Sequence, residues 1–363
     1  VGEFLSLSAR TGIVYSERFL EHKTGAHYEN PRRLIIALEA LKNLNIFPSE
    51  KCTLIEPREA SIDELKLVHD EDYIETIRRF SLSGGGHYDG DTVLSKESFD
   101  VARLAVGGML KASLEVYNGK LRNAFGLIRP PGHHAGFSGV ALGAPTVGFC
   151  VFNNVAIVAA YMLQKGYIKK VAIFDFDVHH GNGTQEIFNE SAKVLYISTH
   201  ERGIYPGTGY EYEVGSGEGE GFKINIPMPH RADDNAYFKA LDEIIIPVVD
   251  QFKPDIIFLS AGFDAHHSDT ISTITLSAEC YLRIGEVFVD LAEKHCNGRI
   301  IGFLEGGYSR ETLSKSLPAI IATLAGIKVK FEDRKITAPE AVSRRVEETI
   351  SNVKKVLSKY WKI

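Results

Sequence analysis

The stretch DFDVHHGNGT, residues 175 to 184, places two aspartates and two histidines within six residues. It follows the apolar run Val171–Phe174 and leads into a turn with two glycines. Unpaired charge at the end of a buried strand is costly, so such a cluster needs an internal counter-charge. In an extended chain residues two apart point the same way, so Asp175, Asp177 and His179 would converge on one side of a strand tip. A divalent cation would offset the carboxylates; a salt-linked structural cluster would do so without one. Three more apolar runs end in polar groups. IIFLS (256–260) leads into AGFDAHHSD with Asp264, AFGLI (124–128) into RPPGHHAG with His133 and His134, and IIGFL (300–304) into EGGY with Tyr308.

Two carboxylates and one imidazole, Asp177, His179 and Asp264, make a three-ligand metal set with a position left open, the pattern of a catalytic zinc. A metal there lowers the pKa of water toward neutrality. His133 and His134 offer a general base and a general acid. Asp175 and Asn182 could orient those rings by accepting their second N–H. Tyr308, beside a Gly-Gly pair, could donate its hydroxyl to a developing oxyanion. These are the parts needed to hydrolyse an amide.

The elements that must hold these groups read as alternating strands and helices. Expected strands are 12–16, 124–128, 171–175, 194–199, 222–226, 256–260 and 300–304, several of them near-continuous apolar runs of the kind buried on both faces. Helical patterns open at Asn30-Pro31 and span 98–117, 153–165, 233–252 and 277–295. The alternation predicts one α/β domain, residues 12–330, with a mostly parallel central sheet. Ligands of such sheets bind beyond the carboxyl ends of the strands, where the unusual residues lie. In the tail, 331–363, Val342, Val346, Ile350, Val353, Leu357 and Tyr360 recur every three or four residues and predict a helix docked on the domain.

Composition sets the outer limits. The 363 residues are 44% hydrophobic and 24% charged, as in an ordinary globular protein. A net charge of −6 argues against direct nucleic-acid binding, which needs a basic excess. Apolar runs stay short of the ~18 residues that span a bilayer. The opening VGEFLSLSAR lacks the charged and apolar regions of a secretory signal, so the expectation is a cytoplasmic protein with reduced thiols. Cys52, Cys150, Cys280 and Cys296 show no metal-binding spacing and read as small buried residues.

Taken together, RPPGHHAG, GFCVFNN, DFDVHHGNGTQ, YPGTG, SAGFDAHHSD and LEGGY resemble the histone deacetylase superfamily, which includes acetylpolyamine amidohydrolases and class II-like bacterial and archaeal deacetylases. The likeness runs from about Gly12 to about Ile327. It implies an arginase/deacetylase-like fold with about eight strands. It implies zinc on Asp177, His179 and Asp264, a site whose O/N ligands would also accept Fe2+ or Co2+. His134 matches the base, His133 the histidine paired with Asp175, Asn182 the partner of His134, and Tyr308 the residue that polarises the scissile carbonyl. Gly148 and Phe149 match one wall of a substrate tunnel and Tyr205 the other. Asp91 aligns with a rim residue that binds substrate backbone, with Asp89 competing for that place, and Arg33 with an acetate exit route. Asp175 and Ser198 match a structural potassium site.

The implied substrate is an acetylated lysine side chain or an acetylated small amine, whose methylenes would each gain ~0.8 kcal/mol on burial between aromatic walls. Its neutral amide enters such a slot more cheaply than a free ammonium. Whether the amine is protein lysine, a polyamine or a metabolite stays open, as does the oligomeric state. Two other functions compete. DAHHSD is similar to a ligand motif of arginase-like dimetal ureohydrolases, but Ser268 stands where that motif has Asp. A catalytically inactive acyl-lysine binder would lack Tyr308, His134 or a ligand, and all are present. Of the other histidines, His180 reads as a structural residue, His266 and His267 as loop residues with extra metal ligands as the alternative, His69 as a helix-start or packing residue, and His22, His27 and His87 as rim. The acidic loop 211–221 reads as a solvated turn, with attraction of cationic substrates as the alternative since it follows the Tyr205 wall.

Overall fold

The computed structural model describes residues 10–363; the first nine, which carry most of the N-terminal reading, lie outside the described residues. Among the described residues ten strands appear in chain order: β1 Thr11–Val14, β2 Cys52–Ile55, β3 Gly85–His87, β4 Val93–Ser95, β5 Asn123–Gly126, β6 Val171–Asp175, β7 Val194–Glu201, β8 Lys223–Met228, β9 Ile256–Ala261 and β10 Ile300–Leu304. β3 and β4 form a small antiparallel hairpin. The other eight make one sheet in the order β2-β1-β5-β10-β9-β6-β7-β8. Every pairing in it is parallel. β5 to β10 are buried along their whole length, as their apolar sequences require when helices flank the sheet.

The order explains the site. β5, β10, β9 and β6 are consecutive neighbours at the centre of the sheet. They are the four strands whose carboxyl ends carry His133 and His134, Tyr308, Asp264, and the Asp175–His179 run.

Most elements fall where periodicity places them. The helix Ser98–Tyr117 matches its pattern, and Asn153 caps the helix Asn154–Gln164 by accepting the Ala156 N–H. The pattern at 233–252 is not one regular helix. It is Asp234–Ala240 and Ile246–Phe252 joined by a π turn at Leu241–Ile245. Pro247 explains this, because it lacks an N–H and its ring would crowd the carbonyl of Glu243 in a regular helix. Pattern reading does not pick out β2, a four-residue edge strand with two partly exposed positions, nor the helices Glu71–Leu82 and Arg310–Leu324. The tail also divides. Residues 327–339 form an irregular strap, and only Glu340–Leu357 is helical. That helix packs Val346, Ile350, Val353 and Leu357 into the main apolar core.

Candidate active site and metal centre

β6 ends at Asp175, and the chain beyond it folds back on itself. Asp177 Oδ1 accepts the His179 N–H at 2.9 Å and lies 3.0 Å from His179 Nδ1. Asp264, three residues past β9, brings Oδ2 to 3.2 Å from the same Nδ1. One donor atom from each of Asp177, His179 and Asp264 lies within 4.8 Å of the others, and all three residues are buried. The outer oxygens are fixed by backbone. Gly306 N donates to Asp177 Oδ2 at 2.8 Å and Val178 N to Asp264 Oδ1 at 2.9 Å. A Cβ on Gly306 would come within 2.3 Å of Asp264 Oδ2 and 2.5 Å of Asp177 Oδ2, so only glycine lets this loop reach the carboxylates.

This set fits a divalent cation on three grounds. The donors are hard oxygen and imidazole nitrogen, suited to zinc and to other first-row divalent metals. Asp264 Oδ2 is buried and makes no hydrogen bond, its approach to His179 Nδ1 being shared with Asp177 Oδ1, and this is an expensive state unless a cation faces it. Burial and the charge of Asp177 push the Asp264 carboxyl up to about 6, while Asp177, for all its burial, is held low by His133 and His179. Two buried carboxylates this close do not both ionise comfortably without added positive charge.

The loop after β5 delivers the histidine pair. His133 Nδ1 is 3.0 Å from Asp175 Oδ2, which also accepts the Tyr196 hydroxyl at 3.0 Å. His134 Nδ1 is 2.7 Å from Asn182 Oδ1. Burial works against charge on both rings, yet their partners separate them. The carboxylates of Asp175, Asp177 and Glu305 outweigh burial and raise His133 to about 10. His134 is lowered far below the usual histidine range by burial and by His133 and His179. A cation on the ligand set would pull His133 back down.

A cavity of about 240 Å³ opens over these groups. Its floor includes His133, His134, His179 and Tyr308. Gly148, Phe149 and Tyr205 form walls, with Asp91 at the side. Sequence reasoning did not single out Ile204 and Ile271, which complete the apolar lining. Gly148 has φ +56°, and a Cβ there would come within 2.5 Å of His134 and 2.8 Å of Tyr205. Phe149 itself has φ +66°, rare for a bulky side chain, and its ring meets His27 edge-on at 4.5 Å. The Tyr205 hydroxyl is tied to the Thr146 carbonyl at 2.9 Å. Cys150 also lines the cavity, with burial pushing its thiol well up, so it is a neutral wall group.

The two rim candidates separate. Asp89 is spent within the protein, accepting the N–H groups of Asp91, Thr92 and Val147. Asp91 faces the cavity, with its carboxylate also bonded to Thr92 and Thr146 hydroxyls. Arg33 does not line the cavity. It is buried behind Tyr308, with its guanidinium 4.9 Å from that ring's centroid, and it donates to the Gly307 carbonyl at 2.7 Å and to the Glu305 carbonyl. Ser198 stands beside Asp175 in the β6–β7 register, and its hydroxyl is 2.8 Å from His200 Nδ1.

Several supporting residues escape the sequence reading. Glu305 Oε2 accepts the N–H groups of Gly132 at 2.8 Å and His133 at 3.2 Å, setting the histidine loop from behind. Asp269 Oδ2 accepts the N–H groups of Tyr308 at 2.7 Å and Ser309 at 3.0 Å. Glu29 lies buried between Arg33 and Arg129. The only sequence signal for Glu305 is an acid directly after a strand tip, and Asp269, well beyond the end of β9, has not even that. His22 is not a rim residue: it is buried against Ser98 and Glu29. His180 is buried between Thr208 and Gln185, and the acidic loop is partly knitted, with Glu213 accepting the Gly209 and Tyr210 N–H groups.

Comparison with known proteins agrees with this architecture. Residues 27–324 match the model of the histone deacetylase domain. A probable deacetylase of Archaeoglobus fulgidus is 42% identical over 97% of this chain and 99% of its own length. Histone deacetylase 15 of Arabidopsis thaliana is 35% identical over 98% of this chain, which spans 63% of that longer protein. A crystal structure of the HDA15 HD domain superposes with a TM-score of 0.86 at 34% identity, covering 97% of both chains. The chain therefore belongs to the histone deacetylase family, and the eight-stranded parallel sheet is the fold of that family.

Proposed function

We propose that the protein is a metal-dependent deacetylase that hydrolyses the N-acetyl amide of a slender amine, an acetylated lysine side chain or an acetylated polyamine, to the free amine and acetate. The observation that carries this reading is the convergence at one cavity of the Asp177, His179 and Asp264 donors, the His133–His134 pair and Tyr308. At about 240 Å³ the cavity is smaller than common small-molecule pockets, which suits a single chain with an acyl tip.

Asp177, His179 and Asp264 would hold the cation, zinc by family and Fe2+ or Co2+ by ligand chemistry. Once bound it supplies Lewis-acid chemistry, acidifying water and polarising the carbonyl. The chain's own residues do the rest. His134 donates Nδ1–H to Asn182, so Nε2 keeps a lone pair to take the proton from the attacking water. His133, paired with Asp175, would act as the acid that gives a proton to the leaving amine. The Tyr308 hydroxyl donates to the oxygen on which charge develops. Phe149 and Tyr205 grip the alkyl chain, Gly148 leaves it room, and Asp91 meets substrate at the mouth. Arg33 braces the Tyr308 loop, and potassium on Asp175 and Ser198 would stiffen the floor. The four buried free cysteines suit a reducing, cytoplasmic setting.

The test is acetate release by zinc-loaded protein from an acetyl-lysine peptide and from N-acetylputrescine, side by side. Preference for the peptide makes it a protein lysine deacetylase, and preference for the small amine makes it a polyamine deacetylase. Silence on both with zinc bound would overturn acetyl hydrolysis and favour an acyl-lysine binder. A second group of possible donors, His133, Cys150 and Glu305, does lie beside the first, with His133 Nε2 3.9 Å from Asp177 Oδ1; burial keeps the Cys150 thiol protonated and His133 is engaged by Asp175, so the dimetal ureohydrolase reading is the weaker one.

A further inference from the structure

The strap at 327–339 lies past the stretch matched by the family model, yet one of its side chains reaches back toward the site. The Asp333 side chain is 4% exposed, on a strap residue that is otherwise half-buried. Its Oδ2 accepts from His266 Nε2 at 2.9 Å and Ala278 N at 2.8 Å. Its Oδ1 accepts from His267 Nε2 at 3.1 Å and Lys315 Nζ at 3.1 Å. Each oxygen has two donors, so the carboxylate's capacity is full. Two of the four donors belong to the loop that carries Asp264.

From there the connection runs to the tyrosine. Ser268 N donates to His266 Nδ1 at 3.2 Å, which leaves the ring proton on Nε2, facing Asp333. The Ser268 hydroxyl is 2.7 Å from the Ser309 hydroxyl, and Asp269 holds the N–H groups of Tyr308 and Ser309. Tyr308 follows Gly306-Gly307, with φ +114° at Gly307, so its own backbone gives it little stiffness. Its orientation depends on what its neighbours fix.

His266, His267 and Asp333 also have the residue types of a second metal site. The geometry speaks against that. Protein donors already fill the carboxylate, and the Lys315 ammonium at 3.1 Å would repel an incoming cation.

We propose that Asp333 is a positioning residue for Tyr308: the strap pins the 264–269 loop, and Asp269 at the end of that loop holds the tyrosine backbone. The proposal rests on the reading of Tyr308 as the group that polarises the carbonyl, so its test includes a readout that does not need activity.

Tyr308 is replaced by 3-fluorotyrosine and its 19F resonance is recorded in the zinc-loaded protein. Asp333→Asn, which keeps the shape but turns a donor toward the histidines, should shift or broaden that line. Lys335→Gln, on the same strap but paired only with exposed Glu279, should leave it unchanged. With native Tyr308, Asp333→Asn should lower kcat roughly 10-fold with KM nearly constant, since small misplacements of a reacting group can cost ~10²-fold. In a Tyr308→Phe background the same change should cost less than about 2-fold. An unmoved resonance, or equal losses in both backgrounds, would overturn the proposal. Loss of a second equivalent of metal in Asp333→Asn, by elemental analysis, would overturn it in favour of a metal site. A perturbed line in a protein silent toward both acetyl substrates would support the clamp while removing the reaction assigned to Tyr308.

Discussion

His134 Nδ1 stands 2.7 Å from Asn182 Oδ1, and Asn182 Nδ2 is committed to the Ala141 carbonyl at 2.9 Å. The second bond fixes which way the amide points, and so fixes the tautomer of the ring. An amide held this way can only accept from His134, which makes Nδ1 the protonated nitrogen and turns the basic Nε2 away from Asn182. A neutral partner also spares His134 the upward shift that a carboxylate would impose.

Removing that ring should remove the base and nothing else. His134→Ala is expected to lower turnover by roughly 10²–10⁴-fold. Metal content should match the native protein, because His134 is not a ligand. Elemental analysis beside the rate measurement checks both, and loss of metal would contradict the assignment.

Asp264 is different, since its unpartnered oxygen faces the proposed cation. Asp264→Asn should weaken metal binding, seen as substoichiometric zinc after dialysis against a mild chelator. Full occupancy in the variant would show that the metal, if bound, is held elsewhere.

Gly148 tests the cavity rather than the chemistry. A methyl group there would press on His134 and Tyr205 from within 3 Å, and the positive φ adds strain. Gly148→Ala should nearly abolish turnover while the metal stays bound. A variant that kept native KM and kcat would mean that the substrate does not pass this wall.

His69 gives a pH dependence through a ring that is not part of the ligand set. The ring is buried, with Nδ1 2.8 Å from the Gly136 carbonyl and Nε2 accepting the Asn153 N–H at 2.9 Å. Protonation would break the second bond. Burial accordingly lowers its pKa to about 4, against a usual value of 6.5. The folded value lies below the unfolded one, so the stabilisation is complete above pH 6.5 and is lost as pH falls toward 4. One such group is worth at most about 3 kcal/mol over that window. Urea denaturation at pH 7 and pH 4.5 should show the loss, and His69→Gln should flatten part of the slope; an unchanged slope in the variant would remove His69 as its source.

Local features are legible in the order of residues alone. The run VAIF before Asp175 and the run IIFLS before AGFD each mark a buried strand with a polar group at its tip, because strand burial is written in neighbouring residues. Gly148, Phe149 and the histidine pair were legible as one set because they recur in a recognisable order. The tertiary structure decided everything that depends on which strand lies beside which. Only the order β5-β10-β9-β6 brings four separate tips over one cavity. Asp89 and Asp91 look alike in DGDT, and only the folding of their loop spends one on backbone N–H groups and turns the other to the cavity. Glu305, Asp269 and Asp333 carry no signature of their own, since a buried carboxylate takes its meaning from its donors, and those donors lie as far as 173 residues away. Periodicity records how a segment meets the core; a hydrogen bond between distant segments leaves no trace in it.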